Sequence, residues 1–382
     1  MSGKRSATRL VRWGCMAAVA GVLLAPGPVG AVPGPGGEKS VGELLTDLQT
    51  LYRQAEEASE TYNATAEQLK ERRKESEALA QKLATARGSL HSSKIAAGRL
   101  AREQYQGRSE ISPYVRLLLA RDPQHALDQG RVILRAAKKQ EATVDRLVGD
   151  EKKADGLATK ARAGLDRQLQ LAAKQKKERD AVQKRLKDVE ELLASLTSAQ
   201  LAQLSRLEDA GTADAQRSFM ASGALSSAGR SPSKAGEAAL AYAVRQIGKP
   251  YVWGAEGPKA FDCSGLTSQA WAHAGQRIPR TSQEQWATLP RVPLSELRPG
   301  DLVLYFPKAT HVAMYLGDGM VVQAPRPGAR VKVSPIAANP LLGAVRPDPS
   351  AGAVSGYRAP RLPAGAEDGG DAGYGAAGAP QQ

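Results

Sequence analysis

From Val41 the apolar residues fall three and four positions apart: Val41, Leu44, Leu48, Leu51, Ala55, Ala58 and Tyr62. The pattern resumes less strictly through Leu69, Leu79, Leu83, Leu90 and Leu100, and no proline interrupts the chain between Pro35 and Pro113. A second run holds Val144, Leu147, Ala154, Ala158, Ala161, Leu165, Ala172, Val182, Leu186, Val189, Leu193 and Leu196. Apolar positions repeating this way, with Lys, Glu and Arg between them, predict a coiled coil over 39–208. Its alanine-rich seam lets helices approach closely but buries little area, so a thin rod is expected. Gly107 to Asp128 contains Pro113 and Pro123 among Ile111, Tyr114, Val115, Leu117, Leu118, Leu119 and Leu127. This reads as short helices at the far end of an antiparallel hairpin, with an apolar patch open to a partner. The proline break between two similar runs favours a hairpin over a parallel homodimer. Arms of roughly 60 residues at 1.5 Å each give a rod of ~90 Å.

The chain begins with a basic segment (Lys4, Arg5, Arg9, Arg12), then an apolar stretch from Cys15 to Ala25 and Val29-Gly30-Ala31. This is the pattern of a secretory signal peptide over 1–31, its apolar part too short to span a bilayer. After cleavage the chain would not span a membrane, would lie outside the cytoplasm, and would hold one cysteine, Cys263, with no disulfide. The formal net charge is +14, of which four charges belong to the leader. The basic balance suits an anionic surface such as a cell wall or lipid headgroups. No nucleic-acid motif accompanies the cations, so nucleic acid is not an expected partner. Residues 209–234 are rich in Gly, Ala and Ser and read as a flexible linker. From Asp348 to Gln382 the composition predicts a disordered tail.

Residues 235–347 read as a compact domain. A helix from about Ala235 to Ile247 is followed by Asp262, a good N-cap, and a helix that begins at Cys263. A cysteine in a helix's first turn sits at the positive end of the dipole, where a thiolate is favoured. Another short helix opens after Thr281 or Ser282. Leu302–Phe306, His311–Leu316, Met320–Ala324 and Ala329–Ser334 then read as short strands. Helices first and an antiparallel sheet afterwards make the class α+β. His311 is the histidine placed to serve Cys263, because His273 lies ten residues up the same helix, about 15 Å away; His91 and His125 stand alone in the coil. A three-residue loop at Gly317–Gly319 would set Leu316 opposite Met320 and Ala313 opposite Gln323, whereas a two-residue loop would put Gln323 on the other face; the three-residue register is the one expected. Gln323 then neighbours His311 diagonally on one face. Its amide oxygen is placed to accept the Nδ1–H of His311 and leave Nε2 for sulfur. With one mature cysteine and no close histidine pair, no metal or cofactor is implied.

Several blocks occur in order: Pro250-Tyr251-Val252-Trp253-Gly254, Phe261-Asp262-Cys263-Ser264-Gly265-Leu266, Pro279-Arg280-Thr281-Ser282, Pro299-Gly300-Asp301-Leu302-Val303, and Thr310-His311-Val312 with Tyr315-Leu316-Gly317. Together they resemble the NlpC-type cell-wall cysteine peptidases over about 235–346. The resemblance implies a papain-like core with a Cys, His and polar third residue, here Cys263, His311 and Gln323. It also implies hydrolysis of peptidoglycan stem peptides, usually between D-glutamate and diaminopimelate. Tyr251 matches the family's active-site tyrosine, and Asp262 and Ser264 flank the nucleophile as candidates for shaping the peptide site. Gln323 stands where His is more frequent, Trp253-Gly254-Ala255 replaces a usual double glycine, and Ala313 replaces a usual glycine. The N-terminal part resembles, more weakly, the coiled-coil modules of division-associated hydrolases, which implies a membrane complex of the FtsE–FtsX type as a partner.

These readings converge on a secreted D,L-endopeptidase acting in wall remodelling or daughter-cell separation, with the coiled coil as a cover over its site. The alternatives are an inactive wall-binding scaffold or activator, and an amidase or acyltransferase using the same Cys–His pair.

Overall fold

The computed structural model describes residues 39–106, 115, 122–225 and 230–367. The proposed leader, most of the apolar stretch between the two long runs, and the last residues of the tail lie outside them.

Helix α1 runs Val41–Gln106 and α2 runs Pro123–Ala194. Asp122 caps α2 by accepting the N–H of His125 at 2.7 Å, and Pro123 takes the first helical position, where no N–H is required. The two are antiparallel: Leu48 and Tyr52 pack with Val189 and Leu193, Leu79 lies near Gly164, and Ser89 and Ser93 both donate to Asp150. Those pairings keep a constant sum of residue numbers within a few units, which is what an unbroken antiparallel seam requires.

Helix α3, Ser198–Ala221, follows after Thr197, whose hydroxyl and Gln200 form a reciprocal capping box. The expected linker is therefore helical up to Ala221. Gln216 donates to Gly319 O at 3.0 Å and accepts the Ala337 N–H at 3.1 Å, while Phe219 joins an apolar cluster under the sheet. These contacts stabilise helix where composition alone suggested none. Helices α4 (Lys234–Val244), α5 (Cys263–His273) and α6 (Ser282–Thr288) come next.

The sheet is antiparallel throughout, with strand order β1-β6-β2-β3-β4-β5. Its strands are Arg291–Val292, Leu302–Tyr305, His311–Gly317, Met320–Gln323, Lys332–Pro335 and Leu341–Val345. The period of two divides β2 between two cores. Leu302 and Leu304 join Leu240, Leu266 and Trp271 of α4 and α5; Val303 and Tyr305 face Ile336 and Phe219. Strands β1 and β6 were not anticipated, being two residues long and glycine-interrupted respectively.

The β3–β4 hairpin differs from the expected three-residue loop. Gly317 pairs with Met320 around Asp318 and Gly319, which have φ of 51° and 72°. Two positive φ values in an Asp-Gly pair are the mark of a two-residue hairpin turn. A bulge at Leu316 then restores the register, so Met314 faces Val322. One position further, Ala313 falls opposite Gln323, as the longer loop would have arranged it.

The segment after Asp348 lies against the domain rather than apart from it. Arg298 pairs with Asp348 at 2.6 Å, Val354 N–H reaches Pro232 O at 2.8 Å, and Val333 N–H reaches Ala366 O at 2.9 Å. The last contact covers part of the outer strand β5, whose backbone is otherwise open to pairing.

Candidate active site

Cys263 is the first residue of α5 and is buried. The Asp262 side chain accepts the Gly265 N–H at 2.6 Å, fixing the helix start. The same carboxylate accepts the Gly254 N–H at 2.8 Å and the guanidinium of Arg280 at 3.1 and 2.7 Å. Asp262 is thus committed to holding the Gly254 loop, Arg280 and the α5 terminus together, a positioning role at the edge of the expected peptide site. Burial works against the charge of Arg280, but Asp262, Glu60 and Glu256 outweigh it and hold it more firmly protonated than usual. Its Nη1 also donates to Ser264 Oγ at 2.8 Å, setting that hydroxyl.

His311 opens β3, fully buried, with its ring against Tyr305. Its Nε2 lies 2.7 Å from Gln323 Oε1. Gln323 meets the histidine as the register requires, but at the opposite nitrogen from the one expected. With Nε2 donating to Gln323, Nδ1 is the nitrogen left for proton transfer. Glu60, beside the sulfur, and Glu56, beside Nδ1, each act electrostatically on both Cys263 and His311, so the two groups share one neighbourhood. Tyr251 is buried in the same apolar core as Cys263, and burial raises its hydroxyl pKa far above the usual range.

Helix α1 completes the site. Glu60, 2% exposed, places Oε1 2.7 Å from Ser264 Oγ and 4.0 Å from Cys263 Sγ. Its Oε2 accepts both the backbone N–H of Ser282, at 2.7 Å, and its hydroxyl, at 2.8 Å. Glu56 Oε1 stands 3.3 Å from His311 Nδ1. Asn63 donates to Asp262 Oδ2 at 3.1 Å, and Tyr62 meets the edge of Trp253 with ring centroids 4.9 Å apart. Of these α1 residues only Tyr62 was named from sequence, as part of the apolar seam; Glu56, Glu60 and Asn63 read there as the solvated flank of a coiled coil. Ser282 and Arg280 were visible as a motif without a role.

This geometry reverses the electrostatics expected of the nucleophile. Burial, then Glu60, Asp262 and Glu56, push the Cys263 thiol well up, against the pull of the Val312 N–H. Burial and the nearby Asp262 charge likewise raise Glu60. Burial disfavours the imidazolium, but Glu56 and Gln323 outweigh it and raise His311. The arrangement keeps the sulfur a neutral thiol and engages the imidazole with a carboxylate. No cluster of His, Cys, Asp and Glu with metal-binding geometry occurs among the described residues.

Residues 248–342 match the NlpC/P60 family. The chain carries an NlpC/P60 domain. A protein named probable endopeptidase in Corynebacterium glutamicum is 52% identical over 89 residues, covering 23% of this chain and 43% of that one. Peptidoglycan endopeptidase RipA of Mycolicibacterium smegmatis is 40% identical over 126 residues, covering 28% of this chain and 25% of the relative. The chain therefore spans less than half the length of these relatives. Among solved structures, the NlpC/p60 domain of the peptidoglycan hydrolase SagA is 35% identical; the match covers 29% of this chain and 97% of that one, with a TM-score of 0.28. RipD of Mycobacterium tuberculosis, described as a non-catalytic NlpC/p60 domain protein adapted to peptidoglycan binding, is 32% identical. That match covers 30% of this chain and 98% of RipD, with a TM-score of 0.28. The NlpC/P60 domain here includes Cys263, His311 and Gln323, and α1 lies outside it.

Proposed function

We propose that the chain is an exported peptidoglycan endopeptidase whose coiled coil holds it closed. The observation that carries this reading is the pair of α1 carboxylates at the candidate residues: Glu60 lies 4.0 Å from Cys263 Sγ, and Glu56 lies 3.3 Å from the Nδ1 of His311, whose Nε2 meets Gln323. In the open site the thiol gives its proton to His311 Nδ1, and the sulfur attacks the carbonyl of a stem-peptide amide. Backbone amides at the start of α5 other than the capped Gly265 N–H are the proposed donors to the developing oxyanion. The imidazolium then protonates the leaving amine, and the neutral ring activates the water that hydrolyses the thioester. Gln323 holds the ring in the tautomer this needs, without adding negative charge. The proposed bond is γ-D-glutamyl–diaminopimelate, and the proposed setting is the cell wall during remodelling or daughter-cell separation.

In the closed state Glu56 occupies the nitrogen that must serve the sulfur, and Glu60 occupies the groups beside it. Closure is then chemical as well as steric. A membrane complex of the FtsE–FtsX type, engaging the coil, is the proposed release.

The test is mass spectrometry of wall fragments after incubation with the mature chain, with a Glu56→Ala/Glu60→Ala chain, and with Cys263→Ala added to the latter. Fragments cut after γ-D-glutamate, more abundant with the opened chain and absent with Cys263→Ala, support the reading. Binding to wall without any cut by the opened chain favours a scaffold; a different product favours an amidase or acyltransferase.

A further inference from the structure

Helix α1 presents three carboxylates to the NlpC/P60 domain. Two meet groups already assigned to the chemistry: Glu56 at His311, and Glu60 at Cys263. The third, Glu57, pairs with Lys308, Oε1 to Nζ 2.5 Å. Lys308 has no part in the mechanism above, and its side chain is 71% exposed.

Its backbone is nevertheless held. Lys308 lies in the turn between β2 and β3, three residues before His311. Phe306 and Ala309 on either side of it both have positive φ, 62° and 50°. The Ala309 N–H closes the turn on Phe306 O at 2.9 Å, and the Phe306 N–H is fixed by Pro340 O at 2.9 Å. Two non-glycine residues in the left-handed region mark a path set by its surroundings. The lysine stem therefore rises from a fixed point on the rim of the site.

The order of the contacts gives the direction. Glu60 lies at the start of α5, beside the nucleophile. Glu57, one turn back along α1, lies on the histidine side, from which the departing amine receives its proton. If α1 occupies the ground a substrate takes, the groups that answer its carboxylates are those offered to the substrate.

We propose that Lys308 is a specificity residue for the leaving half of the substrate. It binds a carboxylate on the residue whose amine departs, and Glu57 takes that place in the closed state. This rests on the endopeptidase reading. For a diaminopimelate residue the carboxylate is the one at the far end of its side chain. A carboxamide at that position leaves the ammonium without a counter-charge. The charges do not change during bond breaking, so the effect falls on KM and leaves kcat alone. An exposed ion pair of this kind changes affinity by about three- to fivefold.

The experiment uses the full mature chain with Glu56→Ala, Glu57→Ala and Glu60→Ala, in which His311 and Lys308 are both released from α1 and Cys263 is checked for alkylation. Its substrates are two synthetic L-Ala–γ-D-Glu–diaminopimelate peptides, one with the far carboxylate free and one with it amidated. The expected result is a KM about three- to fivefold lower for the free acid at equal kcat, shrinking as salt rises. The preference should vanish in Lys308→Ala and persist in Lys308→Arg. Equal KM for both peptides in the parent, or a preference that survives Lys308→Ala, overturns the proposal. Failure of the alkylated-competent parent to cut either peptide overturns the endopeptidase reading, and this proposal falls with it.

Discussion

Replacing Glu60 with Ala should open the site, and the size of the effect follows from its contacts. The carboxylate accepts three short hydrogen bonds, from Ser264 Oγ, Ser282 N and Ser282 Oγ, at 2.7, 2.7 and 2.8 Å. Each such bond to a charged group contributes about 1.5–3 kcal/mol, but desolvating the carboxylate offsets much of the total. The burial that raises its pKa is a sign of that offset. Truncation also strands the Ser282 N–H and two hydroxyls in a buried place, at about 1–3 kcal/mol until water enters. A net loss of ~3 kcal/mol from closure is a reasonable central value, and it multiplies the open population by about 150.

The assay is the alkylation rate by iodoacetamide in the chain without residues 1–31, where Cys263 is the one cysteine. When opening is fast compared with alkylation, the rate is proportional to the open fraction, so it should rise by the same factor until the open state dominates. Glu57→Ala is the control, since it removes an exposed pair worth at most about 1 kcal/mol and should raise the rate no more than about fivefold. Should Glu60→Ala alkylate within about twofold of the parent at unchanged helicity, the carboxylate does not hold the site shut. An equal response to Glu57→Ala would show general loosening of the coil instead.

Gln323→Ala removes the 2.7 Å partner of His311 Nε2; in an opened chain kcat should fall about tenfold or more with KM little changed, as expected for one lost orienting bond, while an unchanged kcat would remove Gln323 from the mechanism. Closure should also weaken with rising pH. Glu60, His311 and Cys263 all have raised pKa values in the closed site, so the closed form binds protons more tightly. Its added stability is complete below the ordinary values, 4.5 for Glu60 and 6.5 for His311, and is lost as pH climbs through the raised ones. Alkylation upward from pH 6.5 should therefore steepen beyond the about tenfold per pH unit that thiolate formation alone gives, and a plain thiolate slope refutes the linkage. Arg298→Ala strands the buried carboxylate of Asp348, which Ser233 also contacts; unfolding of the domain in urea should lose about 3–5 kcal/mol, and a loss under about 1 kcal/mol would mean that the segment after Asp348 contributes little.

Much of the architecture was legible because it is periodic. The heptad spacing gave both long helices, and the strand alternation with Asp-Gly and Pro-Gly breaks gave four of the six strands. The face shared by His311 and Gln323 could be argued from register alone, although a bulge at Leu316, not loop length, produces it. The nitrogen that meets Gln323 could not be argued, because it depends on a ring rotation that register does not constrain. Residues 209–221 misled because composition reports solvation, whereas Gln216 and Phe219 are helical through what they dock against. The tail misled for the same reason: its glycines and prolines do not prevent Val354 and Ala366 from meeting backbone partners. Glu56, Glu60 and Asn63 were invisible, since a glutamate on the flank of a coiled coil looks alike whether it faces water or a buried histidine.

The two attachments of the coil constrain how the site opens. Ala55, Ala58 and Tyr62 continue the spacing of the α1 seam, whereas Glu56, Glu60 and Asn63 lie beside it on the same helix turns. A rotation or slide of α1 that withdraws the carboxylates must therefore disturb the seam or carry α2 along. At that end the seam is built from Leu48, Tyr52, Val189 and Leu193, larger than the alanines elsewhere, so the helices should move as a pair. The second attachment then resists. Arg326 makes two bonds to Glu208 of α3, at 2.6 and 2.9 Å, and its guanidinium lies 4.5 Å from the Tyr52 ring centroid, while Gln216 grips Gly319 and Ala337. Arg326 thus ties α1, α3 and the NlpC/P60 domain at one point. Withdrawal of α1 breaks that stacking even if α3 stays in place. The two attachments should consequently couple, and loosening Arg326 and Glu60 together should open the site by a factor different from the product of the separate effects, because they share one helix and one moving body.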